Sequence, residues 1–149
     1  FHKFKLDIYG KIVDKNYFNE LKIRNVKNIN YRGQLNKNIQ KLLSKYDVFI
    51  HPSNSENFGL VIFEGLSSGL YLILNKKLKK TFLEKKKFAK NINFNLKELK
   101  ASVRYVLKIK RQIKSISYKQ KTFRYVKKNF DWINISNVYF ETYKKLVIN

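Results

Sequence analysis

The sequence contains no cysteine, only two histidines and one proline, and five glycines among its 149 residues. Without cysteine there is no disulfide framework and no thiolate metal site. His2 and His51 cannot form a metal site alone, so any metal would need carboxylate ligands. No apolar run approaches the ~20 residues of a membrane-spanning helix, and no signal-peptide pattern is present. These absences favour a cytoplasmic protein without a metal.

Acidic residues are also scarce, because ten Asp and Glu stand against 33 Lys and Arg, which gives a formal net charge of +23. Such a charge is typical of proteins that bind nucleic acid or anionic membranes. The composition offers a simpler explanation, since Lys, Asn, Ile, Phe and Tyr, all abundant here, share A/T-rich codons. The chain has only five arginines, the residue that makes bidentate contacts to bases and phosphates. We therefore expect no nucleic-acid partner, and retain peripheral membrane contact as an alternative for the basic stretch after Lys76.

The segments that are present alternate between strand-like and helix-like patterns. Strands are predicted at residues 4–9, 29–32, 48–51 and 70–74. Helices are predicted at residues 14–24, 35–46 and 58–68, and the chain is predicted to be mainly helical after Lys76. This alternation favours an α/β fold with a Rossmann-like, doubly wound parallel sheet and a helical C-terminal part.

Polar residues mark the ends of several predicted helices. Asp14 and Asp131 are predicted N-caps, and Asn95 with Glu98 resembles a capping box. Trp132 is predicted to be a core anchor of the last helix. The predicted buried side of that helix also includes Ile135, Val138, Tyr139 and Tyr143.

The segment from Ser53 to Glu64 carries the most specific pattern. Glu56 and Glu64 are separated by seven residues, and the apolar run between them is entered through Phe58-Gly59-Leu60. If a helix begins near Phe58, the backbone N–H groups of these three residues have no acceptor within the helix. Together with the helix dipole, they form an anion site suited to a diphosphate.

The two glutamates extend this site in both directions. Glu64 lies one turn after Leu60 on the same helix face, about 6 Å further along the axis, where it can accept hydrogen bonds from ribose hydroxyls. Glu56 precedes the helix and can meet hydroxyls of a group beyond the diphosphate. The order ribose, diphosphate, sugar fits a nucleotide-sugar. Two alternatives remain: Glu56 is an acid favoured by the helix dipole, or Glu64 pairs with a lysine of a neighbouring element.

Four further residues lie at predicted strand ends. Gly10 and Gly33 are interpreted mainly as turn glycines, with contact to the donor substrate as the alternative. Ser53 is the first residue of the central motif. These three are kept as candidate donor-binding residues. His51 is interpreted as packed or solvated rather than catalytic.

With Pro52-Ser53 before it and Gly69 after it, the motif resembles the C-terminal, donor-binding domain of retaining GT-B glycosyltransferases of glycosyltransferase family 4. Weaker matches follow in the expected order, at Ile8-Tyr9-Gly10, Tyr31-Arg32-Gly33, Tyr46-Asp47-Val48-Phe49-Ile50 and Phe130-Asp131-Trp132.

The resemblance assigns a role to each residue of the motif. It implies that Glu56 is catalytic and contacts the donor sugar, that Phe58, Gly59 and Leu60 bind the diphosphate, and that Glu64 binds the ribose. It also implies transfer with retention, usually without a metal, and no cofactor other than the nucleotide-diphosphate-sugar that serves as donor substrate.

The resemblance also sets expectations for the rest of the protein. Residues 1–149 would be a single nucleotide-sugar-binding domain that lacks its first strand–helix unit and the N-terminal GT-B domain, and would be inactive alone. The acceptor would be a glycan or lipid-linked molecule in surface glycan or glycolipid synthesis, with the enzyme at the inner face of the membrane. The loop after Gly69 lacks the family's customary proline and glycines, so a non-catalytic nucleotide-sugar-binding module is an alternative. A basic protein that binds nucleic acid or an anionic membrane is the second alternative.

Overall fold

The computed structural model of the chain describes residues 4–21, 26–35 and 39–147, and the chain divides into two compact units, Phe1–Ile39 and Gln40–Asn149. The described strands are β1 (Leu6–Ile8), β2 (Ile29–Tyr31), β3 (Val48–His51), β4 (Tyr71–Asn75) and β5 (Ala89–Ile92). The described helices are α1 (Lys15–Glu20), α2 (Ile39–Leu43), α3 (Leu60–Ser67), α4 (Thr81–Lys85), α5 (Leu96–Lys108), α6 (Lys110–Ile113), α7 (Ile116–Phe130) and α8 (Trp132–Val147). The predicted α/β class is confirmed, because all pairings among these strands are parallel.

The first unit is a strand–helix–strand arrangement. β1 and β2 pair in parallel, with Leu6 opposite Ile29. The predicted cap of α1 is confirmed, since the Asp14 carboxylate accepts a hydrogen bond from the Tyr17 N–H at 3.0 Å. The predicted continuation of this helix to residue 24 lies outside the described residues, as do residues 36–38 of the next predicted helix.

The second unit is built on a three-stranded parallel sheet in the order β3-β4-β5. All five residues of the central strand β4 are buried, as predicted for an apolar strand covered on both faces. α3 packs against β4 and α7, and α4 and α5 pack against β5. The core is a cluster of buried side chains that includes Ile62, Leu66, Leu72, Leu74, Leu83, Phe88, Ile113 and Tyr118.

The sequence pattern missed strand β5, because the chain after Lys76 was predicted to be mainly helical. β5 pairs with β4, with Leu72 opposite Ala89 and Asn75 opposite Ile92. Ala, Lys and Asn are depleted in strands, and they fill most of this segment. Pairing with a buried central strand therefore overrides the local preference.

Helix α3 ends in a Schellman motif at Gly69. The Leu70 N–H donates to the Gly65 carbonyl at 3.1 Å, and the Gly69 N–H donates to the Leu66 carbonyl at 3.0 Å. Gly69 has φ +86°, and a Cβ added there would lie 2.7 Å from Cγ of Lys119. Substitution of Gly69 is therefore disfavoured both by its backbone conformation and by the Lys119 stem that packs against it.

The predicted caps of the C-terminal helices are confirmed. The Asn95 side chain accepts from the Glu98 N–H at 2.8 Å, while the Glu98 carboxylate accepts from the Asn93 N–H at 3.0 Å. The backbone N–H that the Glu98 carboxylate accepts from is thus that of Asn93, while the cap residue Asn95 donates to Glu98 through its side-chain amide at 3.1 Å. The Asp131 carboxylate accepts from the Ile133 N–H at 3.0 Å at the start of α8.

The prediction that Trp132 anchors the core is wrong, because its side chain is 78% exposed. Val138, Tyr139 and Tyr143, predicted on the buried side of α8, are also exposed, and Ile135 is only partly buried. An amphipathic pattern specifies that a helix has an apolar face, but it does not specify that the described residues cover that face. Within the described parts of the chain, no helix is long and apolar enough to cross a membrane.

Candidate functional site

The central motif lies at the carboxyl edge of the three-stranded sheet. Parallel pairing places His51, the last residue of β3, opposite Leu74, next to the end of β4 at Asn75. The loop of residues 52–59 then leads into α3. Ligands of open parallel sheets bind beyond the carboxyl ends of the strands. The loop is therefore in the position where this fold class binds ligands.

Asn75, which no sequence motif marks, connects this loop to the sheet. It is 5% exposed, and its side-chain amide donates to the Pro52 carbonyl and to Oδ1 of Asn54, both at 3.2 Å. Its own oxygen accepts from the Lys77 N–H at 3.1 Å. A buried amide whose groups are all bonded holds a defined conformation, so the start of the loop is fixed to β4.

Gly59 forms the turn that starts α3. Its φ of +75° and ψ of 49° place it in the left-handed region, which residues with a Cβ rarely adopt. The helix begins at Leu60, two residues later than the predicted start at Phe58. Because the chain must make this turn first, Phe58 and Gly59 precede the helix instead of forming its first turn.

The three backbone donors predicted at this position lie immediately before and at the start of α3. Among the described residues, no group accepts a hydrogen bond from the backbone N–H of Phe58, Gly59 or Leu60. By contrast, the N–H of Ile62 donates to the Gly59 carbonyl at 2.9 Å. The N-terminal end of a helix carries a partial positive charge. This segment therefore has the donors and the electrostatic character required to bind an anion.

Glu56 forms a hydrogen bond with His51. Oε1 of Glu56 lies 2.8 Å from Nε2 of His51, and the two side chains are 29% and 16% exposed. The hydrogen bond from His51 lowers the pKa of Glu56 below its ordinary value, despite the opposing effect of desolvation, with smaller contributions from Ser53 and Lys80. Glu56 lies four residues before the helix, so the alternative that it is an acid of the first helical turn is not supported.

Glu64 differs from Glu56, because its carboxylate has no partner in the described part of the chain. It is half-buried in the middle of α3, and it makes no side-chain hydrogen bond or ion pair with any residue that the structure describes. By contrast, Glu84 pairs with Lys90 at 2.9 Å. The alternative that a neighbouring lysine pairs with Glu64 therefore has no support within these residues. A partly buried carboxylate without a partner is costly, and a ligand hydroxyl would relieve this cost.

The remaining predicted site residues lie in different places. The Ser53 hydroxyl donates to the Ser55 carbonyl at 2.7 Å and so shapes the loop. Gly10 and Gly33 belong to the first unit, where the Gly10 N–H donates to the Gly33 carbonyl at 3.0 Å. The structure thus brings Ser53 together with the central motif, while the two glycines form a turn contact with each other.

Lys80 is a cation that the sequence did not place at the site. Its Nζ donates to the Phe58 carbonyl at 3.3 Å and lies 5.6 Å from the ring centroid of Phe63. It is partly buried, whereas the other lysines of residues 76–80 are exposed. The four lysines within residues 76–80 give no local signal that distinguishes one of them. Lys79, directly before Lys80, has φ 53°, in the left-handed region.

The described residues contain no group of three or more His, Asp or Glu side chains that could hold a metal ion. The chemistry available at the site consists of backbone N–H donors, two carboxylates, one imidazole and one ammonium group.

Solved glycosyltransferases share this fold. WaaG, a glycosyltransferase involved in lipopolysaccharide biosynthesis, matches with a TM-score of 0.70 at 17% identity, over 92% of this chain and 37% of WaaG. The pneumococcal O-GlcNAc transferase GtfA, solved with UDP and GlcNAc, matches with a TM-score of 0.66 at 20% identity, over 97% of this chain and 30% of GtfA. The GtfA/B complex matches with a TM-score of 0.67 at 21% identity, over 97% of this chain and 30% of the matched chain. The fold is thus that of one Rossmann-like half of a GT-B glycosyltransferase.

Residues 1–123 match the family model described as "Glycosyl transferases group 1", and the chain belongs to this family. A curated relative is the GtfA subunit of UDP-N-acetylglucosamine--peptide N-acetylglucosaminyltransferase from Streptococcus agalactiae, which is 34% identical over 67 residues. This match covers 45% of the chain and 13% of the relative. The chain therefore corresponds to only a small part of that protein.

Proposed function

We propose that this chain is the donor half of a retaining glycosyltransferase of family 4 type, which transfers a sugar from a nucleotide-sugar to an acceptor hydroxyl. The observation that carries the proposal is the half-buried Glu64, one helical turn after the N–H groups of residues 58–60. Neither its carboxylate nor these N–H groups have a partner among the residues that the structure describes. A carboxylate in this position suits a ribose diol, and the N–H groups suit a diphosphate. Glu56, before the helix, would then contact the donor sugar.

The proposed reaction needs no nucleophile from the protein. The bond between the anomeric carbon and the diphosphate oxygen breaks, and the acceptor oxygen forms its bond on the same face of the sugar. The acceptor proton passes to an oxygen of the leaving diphosphate. The N–H groups of residues 58–60 would stabilise the charge that develops on the leaving group, and Glu56 would position the sugar. In this scheme, no metal or other cofactor is required.

The remainder of the enzyme is part of the proposal. The chain covers 37% and 30% of the solved WaaG and GtfA chains, which leaves room for an N-terminal GT-B domain that binds the acceptor and for a first strand–helix unit. We propose a glycan or lipid-linked acceptor in surface glycan or glycolipid synthesis. The protein would be cytoplasmic, with peripheral contact at the inner membrane face where the acceptor is lipid-linked.

The first test is calorimetric titration of UDP, GDP and ADP into this chain and into the longer polypeptide that the proposal requires. We expect one of the three nucleotides to bind. Glu64→Gln should weaken that binding about 10- to 100-fold, because a hydrogen bond to a charged group contributes about 1.5–3 kcal/mol. Glu141→Gln is the matched control, since it removes the same charge from an exposed position on α8.

Two results would contradict the proposal. In the first, no nucleotide binds to either polypeptide. In the second, Glu64→Gln weakens binding no more than Glu141→Gln does, which would indicate that the Glu64 carboxylate does not contact the ribose.

The contact between Lys80 and the Phe58 carbonyl leads to a further prediction. Lys80→Gln should lower the affinity for the bound nucleotide diphosphate about two- to fivefold, the effect of a partly screened ion pair. Lys77→Gln removes the same charge from an exposed neighbour and should have a smaller effect. Equal effects in both variants, compared by calorimetry at the same ionic strength, would show that Lys80 contributes only to the general positive charge.

A further inference from the structure

The hydrogen bond between His51 and Glu56 joins a rigid part of the site to a less regular part. His51 is the last residue of β3 and is held in the parallel ladder opposite Leu74. Its ring stacks on Phe49, with centroids 5.5 Å apart and planes inclined by 22°. The imidazole is thus fixed by both backbone and packing. Glu56, by contrast, lies in a loop without regular secondary structure, where a side chain has few constraints of its own.

The geometry also determines which atoms remain available. A carboxylate only accepts hydrogen bonds, so Nε2 of His51 must carry the proton of the 2.8 Å bond to Oε1. The second oxygen of Glu56 is not engaged by this bond. The other polar or charged groups that act on Glu56 are the Ser53 hydroxyl and the Lys80 ammonium group. Of these groups, His51 makes the direct hydrogen bond at 2.8 Å.

We propose that His51 is a positioning residue for donor-sugar recognition: it holds Oε1 of Glu56 so that the second carboxylate oxygen is presented to hydroxyl groups of the sugar. This inference rests on the proposed function. It adds that the sugar and the nucleotide diphosphate are recognised by different groups. Recognition of the sugar depends on His51, and recognition of the nucleotide diphosphate does not.

The bond to His51 has a second consequence, which concerns pH. His51 is the main cause of the lowered pKa of Glu56, so Glu56 keeps its acceptor form to a lower pH than an isolated glutamate. Without this bond, the pKa of Glu56 should rise, and sugar recognition should be lost at a higher pH as the solution is acidified. The contribution of the ionised Glu56 is present above its pKa and disappears as the pH falls through it.

The experiment compares a nucleotide diphosphate with its nucleotide-sugars in the longer polypeptide. The probes are UDP, UDP-glucose and UDP-N-acetylglucosamine, or the GDP or ADP equivalents if another base binds. The quantity measured by calorimetry is the ratio of affinities with and without the sugar. His51→Leu should lower this ratio about tenfold, as expected when a charge-assisted hydrogen bond loses its geometry, and should change the affinity for the nucleotide diphosphate less than twofold.

Two further variants distinguish positioning from a general structural role. His51→Gln offers an amide donor in place of Nε2 and should restore most of the ratio. The double variant His51→Leu/Glu56→Gln should be no worse than Glu56→Gln alone, because both changes act on one interaction. In carboxyl-carbon NMR titrations, the Glu56 signal, assigned through Glu56→Gln, should titrate at a higher pH in His51→Leu than in the wild type.

The outcomes separate this inference from the proposed function. If nucleotides bind and the sugar-dependent ratio is unchanged in His51→Leu, the inference is overturned and the proposed function stands. An unchanged Glu56 titration in His51→Leu overturns the inference as well. If neither the diphosphate nor the nucleotide-sugar binds to the wild type, the proposed function itself fails.

Discussion

Replacing Gly59 with valine is expected to abolish nucleotide binding while the second unit remains folded. Gly59 has φ +75° and ψ 49°, a conformation that a β-branched residue adopts only with strain. An added Cβ would also lie 3.0 Å from Cδ1 of Ile62, whose side chain is fully buried. The turn must therefore change, and with it the direction of the N–H groups at Phe58 and Gly59.

The expected loss of affinity is large. Two hydrogen bonds to a charged phosphate contribute about 3–6 kcal/mol, so their loss lowers the affinity about 100-fold or more. Calorimetry with the nucleotide diphosphate measures this change, and thermal unfolding establishes that the variant is folded. Gly59→Asn is the control, because asparagine introduces the same Cβ but tolerates the left-handed region. A valine variant that binds like the wild type would contradict the assignment of the backbone donors.

Replacing Leu66 with alanine is expected to lower the free energy of unfolding of the second unit by about 2–5 kcal/mol. Leu66 lies near the end of α3, is 0% exposed and belongs to the core cluster. The smaller side chain loses its transfer free energy and leaves a cavity, since neighbouring β4 side chains such as Leu72 are close-packed. Urea unfolding followed by far-UV circular dichroism measures the difference.

Leu60→Ala provides the comparison within the same helix, because Leu60 is 66% exposed. It should change the free energy of unfolding by less than about 0.5 kcal/mol, and it should leave nucleotide binding intact, since the proposed contribution of Leu60 is its backbone N–H. Equal destabilisation by the two alanine substitutions would show that the apolar side of α3 does not support the core. Loss of binding in Leu60→Ala would assign a role to its side chain.

Features of the fold that depend on local chemistry could be predicted from the sequence. The caps at Asp14, Asn95 and Asp131 are confirmed because each is set by a side chain that bonds a backbone N–H within three residues. The burial of β4 followed from a continuous apolar run. By contrast, the pairing of β5 and the exposure of Trp132 depend on which elements pack together in the folded chain. The local sequence pattern does not specify these tertiary contacts.

The candidate site likewise has residues that the local sequence identified and residues that only the folded structure brings to it. The spacing of Glu56, Gly59 and Glu64 identified the loop and helix, because one short segment contains all three. The sequence did not identify Asn75 or Lys80, which contact this segment from 21 to 23 residues away. His51 was close in sequence, but its bond to Glu56 requires the loop to fold back on the end of β3.

Lys119 suggests how a chain of this composition builds an interior. Its Cβ, Cγ and Cδ atoms lie 2.7–3.2 Å from the point where Gly69 would carry a side chain, so methylene groups of a charged residue close the end of α3. A lysine of this kind supplies apolar cover through its stem and leaves its ammonium group in water. A genome that favours lysine codons can therefore place lysine where another sequence would use leucine or methionine. At Gly69, the positive charge of Lys119 thus accompanies a packing role of its stem.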